Sequence, residues 1–239
     1  MSRVLTERLI QRQLNHWNRI RTLLKEREES APAVRRPVIT VSRLAASGGR
    51  SLATALAERL GLELQDHSLI TAIARDRELE ASLVAQLDER TVSQARLWVQ
   101  GVLQGRLFLR DDFHQALVRV IGELAARGGV VFLGRGANLV LGERADLRVR
   151  LVGSERRRAA RLREREALGE AESRQVLAET DARRARFVRE VFHTEPGSPE
   201  NYDLVLNSDR LDKEAMVDHV ILALSHRLAG ARAPLQGQA

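Results

Sequence analysis

The chain has 239 residues and no cysteine, which excludes disulfides, thiolate catalysis and cysteine-based metal sites. Its formal net charge is +7, and only two of its 39 basic residues are lysines, Lys25 and Lys213. Aromatic residues make up 3% of the chain, which leaves little for the base-stacking surfaces of single-strand nucleic-acid binders. The composition therefore favours a small anionic ligand over nucleic acid, although most charge runs are solvated helix faces.

The length suits one α/β domain with an appendage, or two small domains. No apolar run approaches the ~20 residues of a membrane helix, and the N-terminus lacks the apolar stretch of a secretory signal. We therefore expect a cytoplasmic protein without a membrane partner.

The N-terminal segment predicts one long amphipathic helix over residues 1–30, followed by a proline-containing linker over 31–37. Its apolar side chains recur at helical spacing: Leu5, Leu9, Leu14, Trp17, Ile20 and Leu24. This stripe requires cover, which either the rest of the chain or a partner subunit in a homo-oligomer would provide.

Beyond the linker, strands alternate with helices. The predicted strands are 38–41, 62–65, 130–134, 147–153 and 203–207, and a helical insert is predicted over 78–127. This alternation predicts an α/β fold with a mainly parallel five-stranded sheet and helices on both faces, over residues 38–228. Residues 229–239 are expected to form a disordered tail. Ligands of such sheets bind at the carboxyl ends of the strands.

The sequence VSRLAASGGRSLA, residues 41–53, follows the first predicted strand and leads into a helix. Glycines at a helix N-terminus favour an anion site, but an ordinary glycine turn fits the pattern equally. The phosphate-loop spacing G-x-x-x-x-G-K-[ST] is not satisfied. With Gly48 as its second glycine, Arg43 takes the first-glycine position and Gly49 the lysine position. If the motif is shifted by one residue, Leu44 takes the first-glycine position, Arg50 the lysine position and Ser51 the [ST] position.

Arg50 and Arg135 begin predicted helices, and Arg43 ends the strand before the first of these helices. At such positions the positive end of the helix dipole disfavours a cation by ~0.3–1 kcal/mol. A bound anion would reverse the sign of that interaction. The three positions therefore favour an anion site over solvated surface arginines.

Four segments in order carry a resemblance to a known family: VITVSRLAASGGRSLATALAERLGLELQDHSLI, VVFLGRGANLVL, LVGSERRRAARL, and LAETDARRARFV leading to NYDLVLN. They resemble the cytidylate kinase-like family, relatives of bacterial CMP kinase among the P-loop nucleoside-monophosphate kinases. The family's loop reads S-R-x-x-G-S-G-G-R, so its Gly-Gly-Arg ending is normal for this branch, and Ala46 stands at its first glycine. The resemblance implies a three-layer P-loop NTPase-like domain.

The resemblance also implies site residues. The loop Ser47, Gly48, Gly49, Arg50 and Ser51 would hold the donor phosphates, with the Ser51 hydroxyl toward Mg²⁺. Asp66 would open the monophosphate-binding segment, although it could serve at the same time as the N-cap of the next helix. Gly134 and Arg135 match the Gly-Arg pair whose arginine contacts the acceptor phosphate.

An arginine-rich lid is implied over about 154–195. Arg157, Arg158 and Arg161 would close over the triphosphate, and Asp181 with Arg184 fits the D-x-x-R pattern that brackets the acceptor phosphate. The spacing of Asp181 and Arg184 equally suits a surface ion pair on one helix.

The leading interpretation is an ATP- and Mg²⁺-dependent kinase that phosphorylates a nucleoside monophosphate, CMP or dCMP first. A nucleotide-binding regulatory protein without activity is the alternative, because of Ala46, the absent lysine and the helical insert. The third interpretation is a basic nucleic-acid-binding module, whose affinity for nucleic acid would have to fall steeply with added salt.

Overall fold

A computed structural model describes residues 36–75, 81, 99–100 and 112–230. The predicted N-terminal helix, the linker as far as residue 35, and most of the 78–111 part of the insert lie outside the described residues, as does the tail from 231.

The predicted five-stranded sheet is confirmed. Its strand order is β2-β3-β1-β4-β5, and every pairing is parallel. The strands are β1 (Val38–Arg43), β2 (Glu63–Asp66), β3 (Val130–Leu133), β4 (Leu147–Val152) and β5 (Leu204–Asn207). β1 runs two residues further than the apolar sequence indicates, because its pairing with β4 continues to Arg43 opposite Leu151.

The α-helices of the described residues connect these strands. They are α1 (Gly49–Leu60), α2 (His67–Arg75), α3 (Asp112–Arg127), α4 (Ala137–Leu141), α5 (Glu155–Glu166), α6 (Glu170–Phe192) and α7 (Lys213–Gly230). α1 ends as predicted at Gly61, which adopts the left-handed conformation with φ 62°. α7 reaches Gly230, so the first two residues of the predicted tail are helical.

The core covers both faces of the sheet. On one face, α1 and α7 pack on alternate strand residues, among them Ile39, Val131 and Val149, each fully buried. Since successive side chains of a strand point to opposite faces, Val130 and Phe132 face the other way, and both are also fully buried. Helices therefore lie on both sides, as the alternating pattern predicts. Within the described ranges, no helix combines the length and apolarity needed to cross a membrane.

Candidate active site

A cavity of about 660 Å³ lies beyond the carboxyl ends of β1 and β3, bordered by α6. Its lining is dominated by positive charge, with one carboxylate, Asp181, among the described residues. The arginines of the lining are Arg43, Arg135, Arg150, Arg183, Arg184 and Arg189. Arg135 and Arg184 were expected from the resemblance, and Gly134 and Asp181 line the cavity with them. The other predicted site residues do not line it: residues 47–51, Asp66, Arg157, Arg158 and Arg161.

The loop between β1 and α1 is tightly folded. The Ser47 hydroxyl is buried and donates to the carbonyl oxygen of Leu44 at 2.9 Å, so the loop holds it internally. Gly48 has φ 88°, a left-handed conformation that favours glycine. The Ser51 side chain is exposed at the first turn of α1, where a ligand can reach it.

Ala46 also has a positive φ, 54°, which costs an alanine roughly 1–2 kcal/mol relative to the right-handed region. Its side chain packs against an apolar cluster that joins the loop to α5 and α6, formed by Ala45, Ala159, Leu162 and Leu177. The residue thus replaces the family's glycine in a glycine-like conformation, and its methyl group contributes to the junction with the helices.

Arg50 and Asp66 form an ion pair across the site. Nη2 of Arg50 lies 2.7 Å from Oδ2 of Asp66, and the other carboxylate oxygen accepts the backbone N–H of Ser68 at 2.9 Å. Asp66 therefore serves as an N-cap of α2, one of its two predicted roles. The pair also joins the predicted donor loop to the predicted acceptor segment, and 62% of the Arg50 side chain remains exposed.

Gly134 and Arg135 form the turn after β3. Arg135 has φ 54°, a strained conformation of the kind that concentrates at functional sites. Its Nε donates to the Thr71 hydroxyl at 2.9 Å, and its guanidinium lies 5.6 Å from the ring centre of Phe187. Burial, with a smaller contribution from Arg75, lowers the pKa of Arg135. The guanidinium is thus held by uncharged groups at the cavity wall.

Asp181 and Arg184 do not pair with each other in the described structure. Arg184 donates to the backbone carbonyl of Arg43 at 3.3 Å, and burial lowers its pKa. Asp181 instead pairs with Arg158 at 2.6 Å and accepts the backbone N–H of Ala45 at 2.7 Å. The helix ion pair that the spacing also allowed is therefore replaced by contacts with the loop.

Arg158 completes this network. Nη1 donates to the carbonyl oxygen of Ala45 at 3.0 Å, and Nε donates to that of Gly153 at 3.0 Å. We call Arg158, Asp181 and Ala45 the lid junction, because they hold α5 and α6 against the loop. In this position Arg158 points into the protein fold rather than toward an open phosphate site.

The three predicted lid arginines lie in different surroundings. Arg158 is buried, whereas Arg157 is exposed. Arg161 is half-buried and donates to the hydroxyl of Ser208 at 2.9 Å and to the carbonyl of the same residue. Only Arg157 thus presents its side chain freely to solvent.

Four arginines of the cavity were not among the site residues that the resemblance implies: Arg43, Arg150, Arg183 and Arg189. Arg150 is 9% exposed, and its Nη1 donates to the hydroxyls of Ser42 at 3.2 Å and Tyr202 at 3.0 Å. The sequence signal for Arg150 is a charged residue within the apolar stretch LRVRLV. Arg148 in the same stretch gives the same signal, but it pairs with Asp203 instead of lining the cavity. Arg150 and Arg148 differ only in their strand partners, because Arg150 lies opposite Ser42 and Arg148 opposite Thr40.

Arg43 lies among other arginines. Burial and the charges of Arg184, Arg50 and Arg135 lower its pKa to about 9, which Asp66 opposes only weakly. No carboxylate of the described ranges lies within salt-bridge distance of its guanidinium. The centre of the site is therefore strongly electropositive and suited to a multiply charged anion.

Comparison with known proteins gives matches over most of this region. The sequence pattern of the cytidylate kinase-like family matches residues 38–210. A cytidylate kinase from Pyrococcus horikoshii is 28% identical over 189 residues, which cover 79% of this chain and 88% of that protein. A uronate isomerase from Corynebacterium glutamicum is 33% identical over 98 residues, which cover 41% of this chain and 19% of that protein.

Among solved structures, an uncharacterized protein from Eubacterium ventriosum has a TM-score of 0.64 at 18% sequence identity. The superposition covers 80% of this chain and 99% of that one. The two proteins therefore share the fold.

Proposed function

The chain belongs to the cytidylate kinase-like family, and on that premise we propose that it is an ATP-dependent nucleoside-monophosphate kinase acting on CMP or dCMP. The single observation that carries the proposal is the convergence of arginines on one cavity at the strand ends. Phosphoryl transfer requires positioning and neutralisation of charge, with little covalent chemistry from the protein. An arginine-lined cavity next to a phosphate-binding type of loop meets both requirements.

The acceptor monophosphate would bind in the cavity. Arg135 and Arg184 line the cavity from two different elements, the turn after β3 and helix α6, and would both contact the phosphate. The arginine fork matches phosphate oxygens in two-point contacts. Gly134 leaves room for the guanidinium of Arg43 beside this site, and Asp66 would orient the rest of the acceptor from the end of β2.

The donor would bind at the loop Ser47–Ser51 and the start of α1, where backbone N–H groups and the helix dipole favour phosphate. Arg50 and the exposed Arg157 would contact the phosphates, with Arg161 beside them on α5. Arg158 and Asp181 would act as positioning residues, because their contacts fix the backbone of Ala45 in the loop.

Mg²⁺ fits this arrangement through the Ser51 hydroxyl. Among the described residues no cluster of three or more histidine and acidic side chains could hold a metal alone. Magnesium in kinase sites commonly needs only one or two protein ligands, because substrate phosphates and waters complete its shell. When bound, the ion would neutralise phosphate charge.

In the reaction, an oxygen of the acceptor phosphate forms a bond to the γ-phosphorus of ATP. The bond from that phosphorus to the β–γ bridging oxygen breaks, and its electron pair leaves with ADP. The products are ADP and a nucleoside diphosphate. The arginines stay protonated throughout and stabilise the charge on the transferred group.

The test is a direct assay of purified full-length protein with ATP, Mg²⁺ and each common nucleoside monophosphate in turn, with separation of the products. We expect ADP and one diphosphate in equal amounts, with CMP or dCMP as the preferred acceptor. Absence of diphosphate from every acceptor would overturn the proposal.

A nucleotide-binding protein without activity is the second candidate. The lid junction favours it, because Arg158 and Asp181 are engaged with each other and with the loop. Thermal stabilisation by ATP or CMP without turnover would support this candidate.

A further inference from the structure

The donor loop lacks the lysine that a phosphate-binding loop directs at the β- and γ-phosphates of its nucleotide. In the register that places Gly48 at the second glycine, the lysine position holds Gly49 and the first-glycine position holds Arg43. The two substitutions occur together, which raises the question of whether one compensates for the other.

The stem of the Arg43 side chain lies over Gly49. A Cβ added to Gly49 would lie 2.6 Å from Cγ and 2.7 Å from Cβ of Arg43, well inside van der Waals contact. Gly49 is the first residue of α1 and has no positive φ, so its backbone conformation does not require glycine. The missing side chain at Gly49 therefore makes room for Arg43.

The guanidinium of Arg43 ends on the acceptor side. A Cβ added to Gly134 would overlap Nη1 of Arg43 and would lie 3.2 Å from its Cζ. Gly134 immediately precedes Arg135 in the turn after β3. The side chain therefore runs from the lysine position of the donor loop to the predicted acceptor site, and its head lines the cavity.

The charge of Arg43 is not matched by the protein. The charged groups that surround it are Arg184 on α6, Arg50 on α1, Arg135 after β3, and Asp66, which is itself paired with Arg50. Burying a cation among cations is unfavourable unless an anion arrives. The donor and acceptor phosphates would supply the missing negative charge at the point where the two substrates meet.

We propose that Arg43 replaces the phosphate-loop lysine and contacts the phosphoryl group as it passes from donor to acceptor. This inference rests on the proposed kinase function and assigns its central cation. Arg43 gives up no proton during the transfer. It stabilises the charge on the oxygens of the phosphoryl group while the bond to the acceptor oxygen forms and the bond to ADP breaks.

The experiment removes the positive charge at position 43 and, in a second variant, supplies one at position 49. Arg43→Met keeps most of the stem over Gly49 but removes the charge, and we expect kcat to fall roughly 10²–10³-fold. The double variant Arg43→Gly with Gly49→Lys removes the stem and supplies a lysine at the ordinary position. We expect it to recover at least about tenfold of that loss, because a cation returns to the same phosphates.

Matched controls are Lys25→Ala and Lys213→Ala, which remove the only lysines of the chain. Both should retain wild-type kcat, since the cation is assigned to an arginine. Arg43→Lys provides a second readout, because a shorter cation at the same position should retain more activity than Arg43→Met. Circular dichroism of each variant checks that it folds.

The outcomes separate the two hypotheses. If the wild type forms no diphosphate, the proposed kinase function fails. If the wild type is active and Arg43→Met matches it, or Lys25→Ala abolishes activity, the assignment of Arg43 fails while the kinase function stands. Loss in Arg43→Met with recovery in neither Arg43→Lys nor the double variant would show that a cation at either position is not sufficient for transfer, and would also overturn the assignment.

Discussion

The lid junction and the cavity use the same residue type in opposite ways. In the lid junction, Arg158 is held by a carboxylate and two backbone carbonyls, and 9% of its side chain is exposed. In the cavity, Arg135 and Arg150 donate to hydroxyls and lie beside aromatic rings, and Arg43 lies close to Gly49 and Gly134. Among the described residues, none of these three arginines has a carboxylate within salt-bridge distance. Paired arginines connect elements of the fold, whereas unmatched ones create a site for an anion.

The largest expected effect is on the lid junction. Asp181→Ala leaves the buried Arg158 without its counter-charge, and we expect a loss of about 2–3 kcal/mol in the free energy of unfolding. Urea denaturation measures this change. Glu170→Ala breaks the exposed pair with Arg174 on the same helix and should cost less than about 0.5 kcal/mol. Equal losses in the two variants would contradict the comparison.

The next effect is on the acceptor side. Arg135→Ala removes the charged group that we propose contacts the acceptor phosphate, and we expect KM for the nucleoside monophosphate to rise roughly 10–100-fold. Steady-state kinetics with varied acceptor measures it, and KM for ATP should change much less. Arg163→Ala, an exposed arginine on α5, is the control and should match the wild type. An unchanged acceptor KM in Arg135→Ala would remove Arg135 from the site.

A smaller effect of opposite sign is expected at the centre of the cavity. Arg43→Met removes a half-buried charge that neighbouring arginines repel, so the ligand-free protein should gain about 1 kcal/mol in stability. Thermal denaturation without nucleotide or phosphate tests this. A loss as large as that of Asp181→Ala would mean that Arg43 is matched by the fold, and the distinction between the two regions would fail.

The smallest effect is expected at Ala46. Ala46→Gly relieves the positive φ but loses the packing of the methyl group against Ala159 and Leu162, so stability should change by less than about 1 kcal/mol. Nucleotide affinity, measured by calorimetry, should stay within roughly twofold of the wild type. A large gain in affinity would show that the methyl group obstructs the phosphate.

The sheet could be predicted because it depends on local patterns, and a parallel sheet sets the edge at which a ligand site is expected. Short apolar runs gave the strands, and the glycine-containing turns after β1 and β3 marked the strand ends where Arg135 lies. Arg150 could not be assigned in this way. Its alternation along β4 equals that of Arg148, and only pairing with Ser42 across the sheet places it beside the cavity.

The sequence by itself determined the alternation of strands and helices, the loop that follows β1, and the excess of arginine over lysine. Only the tertiary structure decided which arginines pair with a carboxylate. Arg158 and Asp181 meet through the packing of two helices, and Arg43 lies close to Gly134 because β1 pairs with β3. Local propensity acts over a few residues, whereas charge matching depends on distances that chain folding alone sets.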